Sequence, residues 1–305
     1  MYGAEIEWIA VDWGTSNLRA WIIGADGAVL QRLTSDKGMS QLQRNEFEPT
    51  LTSLVQPFIK GERRVPVIVC GMAGARQGWV EAPYETAPCT PPGIGTALPL
   101  SIRSAPLEVR ILPGVKQDSP ADVMRGEETQ IAGILAADPR FDGVICLPGT
   151  HTKWVQISAG EIVSFRTFMT GELFALLSRQ SVLRHSVGGD GWDGDAFLAA
   201  VRDGMARPQA LASSLFGLRA ESLISDLAPD AARARLSGLL IGAELQAARP
   251  YWLGQDVRLV GAESLCRQYA EALSAEGLSV SVAGAEDMTL AGLAAARRAL
   301  EEMQA

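Results

Sequence analysis

Over the first thirty residues short, apolar, β-rich runs alternate with turn signals, the pattern of strands joined by tight turns. The runs are residues 8–11, 18–23 and 28–30, separated by Gly14-Thr15-Ser16-Asn17 and Ala25-Asp26-Gly27. The pattern predicts a three-strand antiparallel meander. It returns at 144–147, 153–157 and 162–165, with Pro148-Gly149-Thr150-His151-Thr152 and Ala159-Gly160 as turns. In both copies a hydrophobic strand meets a Gly-Thr turn with hydroxyls, and the returning strand carries a basic residue near its start and then a Trp. Two such units, roughly 135 positions apart, imply a duplicated domain.

Between the meanders, 65–70 reads as a buried strand ending at Gly71, 82–95 as a Pro/Gly-rich loop, and 109–112 as a strand. Apolar spacing predicts a helix over 121–137, closed by Asp138-Pro139. Beyond Gly171 the spacing predicts helices over 172–183, 195–201, 209–225 and 231–248. A strand at 257–260 ends in Gly261-Ala262 and feeds a helix over 264–275. A strand at 279–282 and a helix over 287–303 complete the chain. Strands and helices alternating after each meander make the fold class α/β, in two lobes, and 305 residues suffice for two cores.

Hydrophobic residues make up 47% and charged residues 20% of the chain, the balance of a folded globular protein. Lys and Arg number 27 against 35 Asp and Glu, a net charge of -8, with no basic block; the electrostatic footprint of a nucleic-acid binder is missing. An anionic ligand therefore needs locally placed donors. Cys70, Cys89, Cys146 and Cys266 show no metal or redox spacing. Residues 1–10 hold two acidic side chains and no basic n-region, and no run reaches membrane-span length, so the expected location is the cytoplasm.

Candidate chemistry gathers at three places. Asp12-x-Gly14-Thr15-Ser16 lies where one strand turns into the next; its backbone N–H groups can cradle a phosphate, and Asp12 can hold a hydrated Mg²⁺, with Arg19 adding positive charge. The alternative is that Asp12 and Ser16 only satisfy the turn's own backbone. Gly149, Thr150, His151, Thr152 and Lys153 offer further N–H groups, hydroxyls and a cation for phosphate, and His151 either donates to it or steadies the turn. Arg125-Gly126-Glu127-Glu128 opens a helix, where acidic residues suit the macrodipole; equally, one carboxylate there can accept the proton of an alcohol attacking a phosphoryl group. Adjacent Glu side chains point about 100° apart on a helix, and Glu127 is the one chosen as base. Walker and Rossmann glycine patterns are absent. Asp195 reads as a helix N-cap rather than part of a calcium loop.

Residues 12–21, 123–130, 148–155 and 169–173, together with Gly71-Met72-Ala73-Gly74, Gly78-Trp79 and Leu236-Ser237-Gly238-Leu239-Leu240-Ile241-Gly242-Ala243-Glu244, resemble 2-dehydro-3-deoxygalactonokinases in order along nearly the whole chain. One departure is Ala75, where the family often has Ser. The resemblance implies the sugar kinase, actin and heat-shock ATPase superfamily, with two ribonuclease-H-like lobes and an interdomain cleft. It implies ATP and Mg²⁺ as cofactors and a sugar acid, 2-dehydro-3-deoxy-D-galactonate, phosphorylated on its 6-hydroxyl. Residues 1–118 would form a lobe with the first phosphate turn and the sugar-acid pocket. Residues 119–305 would carry the second turn and an adenosine site at Gly261 and Ala262, with connecting helices near 121–137 and 287–303 at the interface. For the substrate carboxylate the candidates are Arg76, Arg125 and Arg166, each otherwise an ordinary exposed cation. Trp79 is a candidate pocket wall, with core packing as the alternative. A phosphohydrolase of the same superfamily and a nucleotide-binding switch remain alternative readings. Neither a membrane nor a nucleic-acid partner is expected, and the Leu-rich helices between Gln209 and Leu245 serve either as a homodimer surface or as core.

Overall fold

The computed structural model describes residues 6–102 and 104–304; part of the N-terminal stretch weighed above as a leader lies outside them. Contacts divide the chain into two compact units, one of residues 1–141, 158–163 and 285–305 and the other of residues 142–157 and 164–284. The sequence-based boundary at 118/119 divides the chain differently. Both expected connecting helices fall in the first of these units.

In the first unit, β1 (Ile6–Trp13), β2 (Leu18–Gly24) and β3 (Val29–Ser35) form the expected meander. After α1 (Phe47–Val55), β4 (Val65–Gly71) pairs parallel with β1. The short strands β5 (Tyr84–Thr86) and β6 (Leu98–Ser101) lead to β7 (Leu107–Ile111), and the sheet order is β3-β2-β1-β4-β7-β6. Alternation explains why β1 and β4 are central. Ile9, Val11, Trp13, Val67 and Val69 pack on one face with Phe47, Leu51 and Val55 of α1. Trp8, Ala10, Ile68 and Cys70 pack on the other, against Leu293, Ala296 and Leu300 of the C-terminal helix. Strands covered on both faces carry continuous apolar runs.

A separate small sheet holds β5, β8 (Gly114–Asp118) and β9 (Ala121–Met124). Here the structure corrects the helix predicted over 121–137. Residues 121–124 are a strand paired with β8, and α2 (Glu127–Ala137) begins only after Gly126, whose φ of +109° breaks any helix running through it.

In the second unit, β10 (Gly143–Leu147), β11 (Thr152–Ser158) and β12 (Glu161–Phe168) repeat the meander. Then come α3 (Thr170–Arg179), α4 (Gly194–Ala206), α5 (Leu211–Ile224), α6 (Pro229–Ala247) and the single turn α7 (Arg249–Trp252). Next, β13 (Val257–Gly261), α8 (Glu263–Ala275) and β14 (Val280–Gly284) complete a sheet of order β12-β11-β10-β13-β14. The C-terminal helix, α9 (Ala285–Gln304), belongs to the first unit. The helix predicted over 172–183 stops at Arg179, and Ser181 caps a separate 3₁₀ turn. The N-cap of α4 is Asp193, which accepts from the Ala196 N–H at 2.9 Å, not Asp195, which sits in the first turn.

Helix α6 is apolar on two sides. Ala234, Ile241 and Leu245 face one core and Leu236, Leu239 and Leu240 another, as expected of a helix buried all round. On α5, by contrast, Phe216, Leu223 and Ile224 are exposed. Among the described residues no helix is long and apolar enough to cross a membrane.

Candidate active site

In the first unit the polar centre forms at the C-terminal ends of the parallel strands β1 and β4. Asp12 pairs in register with Cys70, and Trp13 with Gly71. Gly71 has φ of +86°, and a Cβ there would lie 2.6 Å from the Trp13 carbonyl oxygen; a Cβ on Gly126 would lie 3.3 Å from the Gly71 Cα. These two glycines bring the start of α2 up to the ends of β1 and β4. Asp12 is thereby close enough to Glu127 and Glu286 for their charges to act on it, and burial raises its carboxyl above the usual range against the opposing pull of Arg19, 2.8 Å away.

The two glutamates at the head of α2 differ. Glu128 is 1% exposed, accepts the Gly126 N–H at 2.7–2.8 Å, and is pushed up to about 7, first by burial and then by the Glu127 charge. Glu127 is half-buried and accepts the Arg125 N–H at 3.1 Å. Of the pair, Glu127 is therefore the carboxylate open to a substrate. Arg125 turns inward: its guanidinium lies 4.1 Å from the Tyr84 ring centroid and donates to the Ala82 carbonyl at 2.8 Å. Its Nη1 is buried and unpartnered, and the missing Cβ of Gly74 leaves the space it fills. Arg125 thus braces the loop at 82–84. Arg76 is exposed on the loop that precedes Trp79, and Trp79 stacks on Phe47 at 6.2 Å with its edge toward Trp13. The turn at Gly14, Thr15 and Ser16 is buttressed from behind: Met39 N–H donates to the Gly14 carbonyl and Ser40 N–H to that of Thr15.

In the second unit, the turn between β10 and β11 borders a cavity of about 610 Å³, within the usual range for small-ligand sites. Gly149, Thr150, Thr170, Gly171, Ser264 and Tyr269 are among its lining residues. The Thr150 carbonyl accepts the Glu172 N–H at 2.9 Å, and His151 Nε2 lies 2.6 Å from the Glu172 carboxylate. Thr152 is fully buried with its hydroxyl 3.1 Å from that of Tyr269, and Lys153 is 4% exposed with Nζ on the His151 carbonyl. Of the five turn residues, Gly149 and Thr150 are the two that face the cavity. Gly261 and Ala262 do not line it. Gly261 lets the end of β13 pass 3.0 Å from Cys266 Sγ and 3.1 Å from the Pro148 carbonyl, measured from where a Cβ would stand, and Ala262 caps α8. Arg166 is an exposed residue of β12.

Sequence reasoning did not assign roles to Thr170, Tyr269 or Glu244. The only signals were their presence in, or alignment with, the runs 169–173 and 236–244; nothing at Tyr269 marks it. Among the described residues no cluster of three or more His, Cys, Asp or Glu is arranged to hold a metal.

The family model described as 2-keto-3-deoxy-galactonokinase matches residues 12–296. The Escherichia coli (strain K12) 2-dehydro-3-deoxygalactonokinase is 36% identical over 289 residues, covering 94% of this chain and 96% of its own. A Rhizobium meliloti (strain 1021) protein assigned as the same kinase is 42% identical over 304 residues, covering 95% and 96%. A crystal structure of a Sinorhizobium meliloti protein with that assignment superposes with a TM-score of 0.90 at 40% identity, covering 96% of this chain and 99% of the other.

Proposed function

The chain belongs to the 2-keto-3-deoxy-galactonokinase family, and we propose that Asp12 and Glu127 are the residues with which it moves the γ-phosphoryl group of ATP to the 6-hydroxyl of 2-dehydro-3-deoxy-D-galactonate. It is an ATP-dependent phosphotransferase of galactonate catabolism acting on an alcohol group, and its workplace is the cytoplasm. The observation that carries the assignment is the close approach of Gly71 and Gly126, which holds a half-buried carboxylate, Glu127, within electrostatic reach of Asp12.

Phosphoryl transfer asks a protein for positioning and charge stabilisation. Glu127 accepts the proton of the 6-hydroxyl as that oxygen attacks phosphorus. Asp12 suits Mg²⁺, which takes one or two carboxylates plus waters and phosphate oxygens: its carboxylate is partly desolvated, already draws a cation in Arg19, and has a second carboxylate in its field. When bound, the ion supplies charge neutralisation of phosphate oxygens. In the first unit the Thr15 and Ser16 hydroxyls of the Gly14 turn are the donors for phosphate; in the second the Thr150 hydroxyl and the His151 imidazole beside Gly149 are, and the neighbouring cavity takes the nucleoside. Arg76 meets the sugar-acid carboxylate and Trp79 walls its carbon chain, while Arg125 holds the loop at 82–84 in place.

Glu127→Gln tests the base. Turnover should fall roughly 10² to 10⁴-fold while ATP still binds, measured by a coupled ADP assay and by calorimetry. Near-normal turnover removes Glu127 from the mechanism.

A further inference from the structure

The second unit contains a buried carboxylate that phosphoryl transfer does not require. Glu244 on α6 is 3% exposed. Its Oε1 accepts the Trp154 indole N–H at 2.8 Å, and its Oε2 accepts the Tyr269 hydroxyl at 2.8 Å and the Thr170 hydroxyl. The three donors come from β11, α8 and the first residue of α3, so one side chain ties together three elements that are far apart in sequence. Every partner is a donor, which suits an acceptor-only carboxylate.

The chain of bonds continues beyond Tyr269. The Tyr269 hydroxyl is 3.1 Å from that of Thr152, and Thr152 Oγ1 accepts the Gly149 N–H at 3.5 Å. With Tyr269 donating to Glu244, its oxygen is left to accept from Thr152, whose oxygen in turn accepts from Gly149. Every hydrogen bond then points the same way, from the phosphate turn toward the carboxylate. Thr170 and Tyr269 themselves line the cavity beside Gly149 and Thr150.

We propose that Glu244 is a positioning residue for nucleotide binding, fixing the Gly149–Thr152 turn and the start of α3 against the cavity through Tyr269 and Thr170. The proposal rests on the reading of that cavity as the ATP site. It absorbs the two sequence runs, 169–173 and 236–244, to which the catalytic steps assign no chemistry.

Three variants decide it: Glu244→Gln, Tyr269→Phe, which removes the hydroxyl that joins Thr152 to Glu244, and Ser264→Trp, which fills the cavity from an exposed lining position. ATP binding is measured by calorimetry, and KM is measured separately for ATP and for the sugar acid. Expected are a tenfold or greater rise in the ATP Kd and KM for Glu244→Gln and a three- to tenfold rise for Tyr269→Phe, with the sugar-acid KM within twofold of wild type in both. A general loosening of the fold would instead raise both KM values together, and that result overturns the proposal. So does an unchanged ATP Kd in Tyr269→Phe, which also decides the matter should Glu244→Gln not fold. Loss of ATP binding in Ser264→Trp alone leaves the cavity as the ATP site and removes the role of Glu244. Unaltered ATP binding in Ser264→Trp rejects the cavity assignment itself.

Discussion

Glu128 lies one residue from the proposed base, yet its chemistry is opposite. It is enclosed beside Cys70 and the Gly126 N–H, and burial lifts its carboxyl to about 7. A raised carboxyl means the folded state holds its proton more tightly than the unfolded chain does. The associated stability is fully present below the ordinary carboxylate value near 4.5 and is lost as pH climbs through about 7. Glu128→Gln keeps an acceptor for Gly126 and removes the charge. The variant should therefore gain on wild type across that window, by on the order of 3 kcal/mol, in urea unfolding followed from pH 4.5 to 8. A stability difference that does not change with pH contradicts the burial argument. Asp12 and Glu127 stand out in the sequence as candidates because Asp-x-Gly-Thr and Gly-Glu-Glu place a carboxylate beside a flexible backbone, and the fold sets the two within electrostatic reach of each other. Glu244 was not legible in this way: its partners lie 90, 74 and 25 positions away, and a lone Glu on a helix reads as a solvated face.

Glycines let α2 and α9 approach closely. A Cβ on Gly292 would overlap the Thr129 carbonyl, and one on Gly133 would overlap that of Met288. Helix propensity alone predicts that Gly292→Ala stabilises by about 1 kcal/mol. Close packing predicts the reverse, a loss of about 1–3 kcal/mol from overpacking, so the sign of the Tm change distinguishes the two; a higher Tm in Gly292→Ala contradicts the packing. This contact also seats the head of α2, and with it Glu127. Both meanders were legible because short apolar β-rich runs bounded by tight Gly-containing turns leave few other readings. The strand at 121–124 was not, because four residues fit a helical and an extended pattern equally well, and the break at Gly126 depends on a backbone angle that a glycine permits without requiring. The same ambiguity moved the cap of α4 from Asp195 to Asp193, since either Asp could accept from a first-turn N–H.

For the whole molecule, the duplicated meander and the α/β class were readable from the chain because each sheet is built from local strand pairs followed by helices. The distribution of residues between the two compact units was not, because α9 returns to the unit begun by β1 across more than two hundred residues. Such a return is written in packing faces, Leu293 and Ala296 against Trp8 and Ile68, rather than in local pattern. The net charge of -8 makes recognition of two anionic ligands a matter of placed donors rather than of overall field. The most direct test of the central claim is phosphorus NMR of the protein with ATP, Mg²⁺ and 2-dehydro-3-deoxy-D-galactonate. One ADP should form per 6-phosphorylated sugar acid, with no change when the sugar acid is left out; inorganic phosphate released without the sugar acid would contradict a kinase and point to a hydrolase.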